Sequence, residues 1–143
     1  MKEKSLTEAY IQKIDEPFNI NLNISLLDKR FLKENPYLLV IQTIQEYCAR
    51  FTIYPIKLKS IIKISLHSSK TLDENNIYLN LSKTLQKFDV IHSSGLLIRE
   101  NELYYECYLN LSLSDVKTKI LKVALNKTKN IFKKIIIEEI SLK

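Results

Sequence analysis

One glycine, Gly95, serves the whole chain of 143 residues. A backbone that wraps closely around a phosphate needs several glycines, because only glycine lets the main chain approach without a side chain in the way. The P-loop and the dinucleotide-binding fingerprint are therefore both excluded. With 45% hydrophobic and 27% charged residues, the remaining composition is that of an ordinary globular protein. The length fits a single α+β domain over residues 1–143, with a core that needs neither disulfide nor metal. No apolar stretch approaches the roughly 18 residues of a membrane span, so no membrane insertion is expected. The start, Met1-Lys2-Glu3-Lys4, leads into polar residues and not into an apolar signal segment, and the expected location is cytoplasmic.

Glycine also marks the one obvious break. Leu96 to Ser112 after it reads as a hairpin turning at Arg99-Glu100-Asn101, with Leu103, Tyr105, Cys107, Leu109 and Leu111 inward. Tyr104, Glu106, Tyr108 and Asn110 alternate onto the wet face. Ser114 caps a long helix from Asp115 to about Lys134, and Asp115 suits its positive N-terminal dipole. Ile135 to Leu142 is a β-prone tail positioned to return to the sheet. Upstream, Ser5 and Glu8 have capping-box spacing and predict a short helix to Ile14. Phe18 to Leu26 alternates strictly, as a half-buried strand does. Asn35-Pro36 predicts the start of a helix to Phe51, with Tyr37, Val40, Ile41, Ile44, Tyr47, Cys48 and Phe51 on its apolar face. Ile56 to Leu66 reads as a strand with Lys57, Lys59 and Lys63 on its wet side. A turn at Asp73–Asn76, a strand at Ile77–Leu81 and a short helix from Ser82 through Ile91 complete the reading.

The chemistry-bearing residues are sparse. Cys48 and Cys107 fall on the predicted buried faces of a helix and a strand, so both are expected to be packing thiols. Neither pairs with His67 or His92 at metal-ligand spacing, and no metal or cofactor is expected. The two histidines have neighbouring serines but no nucleophile elbow, and both are expected to cap strand ends. No catalytic residue is assigned.

The net charge of +6 and a pI near 9.2 suit a nucleic-acid or anionic-membrane partner. They equally suit a sequence rich in Lys, Ile and Asn by compositional bias. Lys119, Lys122, Lys129 and Lys133 form a stripe on the predicted last helix, opposite Ile120, Val123, Ala124, Leu125, Ile131 and Phe132. Such a stripe either binds phosphates or is a solvated face. Tyr104 and Tyr108, on the wet face of a strand, either stack bases or mark a protein interface. These six residues are the candidate nucleic-acid or partner surface.

Residues from about Leu85 to Ile136 also resemble the C-terminal half of type III secretion chaperones and YbjN-like domains. The shared pattern is a glycine-led hairpin, Gly95 to Ile98 and Tyr104 to Leu111, followed by a serine-capped amphipathic helix. That resemblance implies a secretion-chaperone-like role. The resulting expectation is an α+β fold: a mostly antiparallel twisted sheet with two main amphipathic helices, Pro36–Phe51 and Asp115–Lys134, packed on one face. The expected function is non-enzymatic binding or assembly through a protein partner or self-association. Nucleic-acid binding through the basic helix is the alternative.

Overall fold

The computed structural model describes residues 5–13, 29–69, 74–129 and 131–142. In chain order these form β1 (Glu8–Lys13), α1 (Lys29–Glu34), β2 (Tyr37–Ile44), β3 (Ala49–Ile56) and β4 (Ser60–Ser69). There follow α2 (Glu74–Leu85), β5 (Val90–Ser93), β6 (Leu97–Arg99), β7 (Glu102–Leu109), α3 (Val116–Asn126) and β8 (Lys134–Ser141). The α+β class and the antiparallel pairing agree with the sequence reading. The two-helix arrangement does not.

Two sheets are present among the described residues. One is an antiparallel meander, β1-β2-β3. The other runs β5-β7-β4-β8, with β6 also paired to β7, and every pairing in it is antiparallel. The larger sheet is the middle layer. Ile62, Ile64 and Leu66 of β4 and Leu103, Tyr105, Cys107 and Leu109 of β7 pack against Leu81 and Leu85 of α2 and Leu121 and Leu125 of α3. Ile61 of β4 and Tyr108 of β7 point the other way and pack with Ile11, Leu39, Ile41 and Ile56 of the meander. Alternation along β4 and β7 thus feeds two cores, one per face.

The helix expected from Pro36 to Phe51 is instead the hairpin β2–β3. Asn35 does not open a helix. Its backbone N–H and its side-chain amide both donate to the Phe31 carbonyl, at 3.0 and 2.9 Å, and so close the end of α1. Val40, Ile41, Thr43, Ile44, Thr52 and Ile53 are β-branched and stiff at χ1, which favours the pleated form. Gln45 to Cys48 makes the turn, with the Gln45 N–H on the Cys48 carbonyl at 2.8 Å. Ile44 and Cys48, expected in the core, are exposed. Pro55 lies in β3, at the edge of its sheet, where a missing N–H disturbs no second neighbour.

Other boundaries moved as well. In place of the N-terminal helix expected from Ser5 to Ile14, residues Glu8–Lys13 form β1, and Ser5 caps no helix. The strand predicted over Phe18 to Leu26 lies outside the described residues. The turn and strand expected over 73–81 belong, where described, to α2, and β5 occupies part of the helix expected from Ser82 to Ile91. The hairpin at residues 99–102 is as expected. Glu100 and Asn101 both take positive φ, 50° and 63°, the signature of the tight type I′ connection. Gly95 also takes positive φ, 70°. β8 returns to the sheet beside β4, as the β-prone tail suggests.

Candidate functional site

The last helix is shorter than its sequence pattern suggests. Asp115, not Ser114, is its N-cap, and the Asp115 carboxylate accepts the Lys117 N–H at 2.9 Å. The helix ends at Asn126. Lys129 therefore lies in the following turn and Lys133 just before β8, so the four-lysine stripe is broken. Only Lys119 and Lys122 are on α3, both exposed.

The buried side of α3 consists of Thr118, Leu121 and Leu125. This rotates the helix away from the expected orientation. Val116, Ile120 and Val123 occupy i, i+4 and i+7, a single line along the helix. They are 71%, 58% and 58% exposed, so the line farthest from the core is apolar. Leu113 in the preceding turn is exposed too. Exposed Lys117, Lys119, Lys122 and Lys127 border this line. Ile120 and Val123, read from sequence only as lying opposite the lysine stripe, are surface residues.

The two candidate tyrosines separate. Tyr108 is fully buried, because the meander covers the face that a single-sheet reading leaves wet. Burial pushes its phenol pKa up, and its hydroxyl bonds to Thr7 Oγ1 at 2.6 Å. Tyr104 is half-buried and stacks on the His67 ring, centroids 4.6 Å apart. His67 Nε2 hydrogen-bonds Glu102, the Tyr104 hydroxyl donates to the same carboxylate at 3.3 Å, and Lys133 Nζ lies 3.7 Å from its other oxygen. The His67 hydrogen bond, helped by the His67 charge, Tyr104 and Lys133, holds the Glu102 carboxyl below its usual range. Of the six predicted residues, the structure thus joins Tyr104 and Lys133 through Glu102. It leaves Lys119 and Lys122 on α3, puts Lys129 in a turn and removes Tyr108 to the interior.

Sequence reasoning missed a buried polar network on the meander side of the central sheet. Lys63 and Glu106, both expected on wet faces, are buried and 3.3 Å apart. Glu106 accepts the N–H groups of Leu6 and Thr7 at 2.8 and 3.0 Å, the Ser5 hydroxyl at 2.9 Å and the Thr7 hydroxyl. Lys63 Nζ donates to Ser5 Oγ at 2.6 Å and to the Thr7 carbonyl at 2.7 Å. Because Thr7 gives its proton to the carboxylate, Tyr108 is the donor in its bond to Thr7. Every member has a partner, which is the condition for burying charge at tolerable cost. The network pins residues 5–7 onto the sheet and launches β1. No spacing in the sequence signals it, since Lys63 and Glu106 are far apart in the chain and look like ordinary solvated charges.

Neither histidine caps a strand end in the expected way. His67 lies within β4. His92 lies in β5, where its Nδ1 meets the Tyr54 hydroxyl of β3 at 2.8 Å, and burial lowers its pKa below the ordinary 6.5. The Cys107 thiol is pushed up to about 12 by burial, which keeps it protonated and unreactive. A surface pocket of about 230 Å³ between α2 and β5 has Leu81, Leu85 and Tyr105 in its wall and Ser82, Gln86 and Ser93 as polar groups, with no charged side chain. Among the described residues no group of three or more His, Cys, Asp or Glu could hold a metal ion, and no helix is long and apolar enough to cross a membrane. No family model, curated protein or solved structure matches the chain.

Proposed function

We propose that the protein acts through protein–protein contacts, as a binding or assembly factor and not as an enzyme, and that the outer face of α3 is its docking surface. The observation that carries this reading is the exposed apolar line Val116, Ile120 and Val123, bordered by lysines. Isolated apolar surface residues are ordinary, but a line of them along one helix is a recognition pattern. The surrounding charge favours a partner with an apolar groove rimmed by acidic side chains. The same line speaks against a phosphate-binding role for α3. Phosphate contacts are made by cations and polar groups, and here the most outward positions are Val and Ile. The lysine stripe that motivated the nucleic-acid alternative is also interrupted at Asn126.

Purification from the natural host after nuclease treatment tests this. The wild type is compared with Val116→Ser/Ile120→Ser/Val123→Ser and with Lys119→Gln/Lys122→Gln. The expected result is a protein companion that survives nuclease, is lost with the serine variant and weakens with the glutamine variant. A companion retained by the serine variant at wild-type level contradicts the reading. So does binding to mixed-sequence RNA at physiological salt with a dissociation constant below about a micromolar, tighter than ordinary non-specific binding.

A further inference from the structure

We propose that the partner seated on α3 is an acidic amphipathic helix, laid along the line of Val116, Ile120 and Val123, and that a second copy of this chain does not occupy this face. That identity rests on α3 being the docking surface, and adds the partner's shape and charge to it.

Spacing gives the shape. Val116, Ile120 and Val123 follow one another at steps of four and then three residues. Such steps average about 3.5 residues, the period at which one helix presents a straight seam to another. The buried residues of α3, Thr118, Leu121 and Leu125, lie on the opposite side, so the seam points away from the sheet. All three seam side chains are β-branched, short and stiff at χ1. They stand little above the backbone and do not reach into a deep pocket. Short knobs of this kind fit the shallow holes between side chains of a facing helix, with the two axes about 8–10 Å apart. α3 has 11 residues, so the contact extends over about three turns. The next position in the same series is Lys127, the C-cap, and there the apolar seam ends.

Charge selects which helix. From Val116 to Lys127 the chain holds four lysines and no aspartate or glutamate. Lys117 flanks the seam on one side, Lys119 and Lys122 on the other, and Lys127 closes its C-terminal end. All four are exposed, and among the described residues none of them takes part in an ion pair. Asp115, just ahead of the helix, is engaged as its N-cap. A second copy laid on this face would set its own lysines against these, with no acid from either helix to offset them. Like charges flanking a seam are how helices refuse to pair with themselves. A partner helix with Glu or Asp on both sides of an apolar seam meets a lysine on each flank instead.

Fluorescence anisotropy with the full chain and synthetic peptides tests the proposal, with circular dichroism to verify the folding of each variant. The probe is an amphipathic peptide of about three heptads, with Leu at the seam positions and Glu on both flanks. Its counterpart carries Lys on both flanks. The wild type should bind the Glu peptide, and should bind the Lys peptide at least about tenfold more weakly. Val116→Ser/Ile120→Ser/Val123→Ser should lose the Glu peptide. Lys117→Glu/Lys119→Glu/Lys122→Glu should invert the preference, because each repulsive pair with the Lys peptide becomes an attractive one. Equal binding of both peptides by the wild type, or an unchanged preference in the charge-reversed variant, overturns the proposal. A Glu peptide held equally by the wild type and the serine variant is bound elsewhere by general charge, and overturns it as well. Sedimentation equilibrium supplies a further arm. A wild-type dimer that dissociates in the serine variant assigns the face to a second copy, against the proposal. A host companion lost with the serine variant, beside a wild type that does not bind the Glu peptide, leaves α3 as the docking surface and removes the acidic helix.

Discussion

Glu106 shows how one residue can decide where a segment of chain goes. Its carboxylate accepts two backbone N–H groups and two hydroxyls from residues 5–7, and Lys63 neutralises it. Glu106→Ala would leave those N–H groups without an acceptor and the Lys63 ammonium buried beside a lost counter-charge. Breaking a buried pair by removing one partner costs about 3–5 kcal/mol. Chemical denaturation should show a loss of that order, and a loss under about 1 kcal/mol would mean that residues 5–7 are not held by this carboxylate. His92 gives a second residue-scale prediction. Its pKa is lowered in the folded protein, so between that lowered value and the ordinary 6.5 the unfolded chain binds more protons. Stability contributed by neutral His92 is complete above 6.5 and is lost as pH falls toward the folded value. The melting temperature should drop on acidification from neutral pH through this window. His92→Gln keeps a hydrogen-bonding group for Tyr54 but cannot titrate, and its melting temperature should change less over the same interval. An unchanged slope would separate His92 from the effect.

At the scale of elements, α3 makes opposite predictions for adjacent residues. Leu121 is fully buried, and Leu121→Ala should cost about 2–5 kcal/mol through lost burial and the cavity left behind. Ile120 is exposed, and Ile120→Ala should change stability by no more than about 0.5 kcal/mol. Ile44→Ala in the β2–β3 hairpin should be similarly mild, since Ile44 is 64% exposed. Thermal or urea melts distinguish these cases, and a large loss at Ile120 would put its side chain in the core. The same elements show what was legible in the sequence. The hairpin after Gly95, the inward alternation of β7 from Leu103 to Leu109, the start of α3 to within one residue and the return of β8 all follow from local pattern. The β2–β3 hairpin does not. Leu38, Leu39, Val40 and Ile41 are all buried, so both faces of β2 are covered and no apolar–polar alternation remains to read. Tyr37, Val40, Ile41 and Ile44 then fit helical spacing by accident, and only the β-branching of Val40, Ile41 and Ile44 hints at the true state.

For the whole molecule, the decisive feature is that the central sheet is covered on both faces. Alternation in β7 correctly predicts which residues point together, but it cannot say whether the second face meets water or another sheet. Here the meander meets it, which explains why Tyr108 and Glu106 left the predicted surface together. With Tyr108 interior, and Lys133 and Tyr104 drawn to Glu102, the candidate site narrows to α3. The most direct test replaces Ile120 in the full chain with a photo-crosslinking amino acid and irradiates the natural host. Lys57, exposed in the turn between β3 and β4, serves as the control position. A discrete protein adduct that resists nuclease is expected from position 120, and none from position 57. No adduct at 120, the same adducts at both positions, or an adduct to nucleic acid would contradict it.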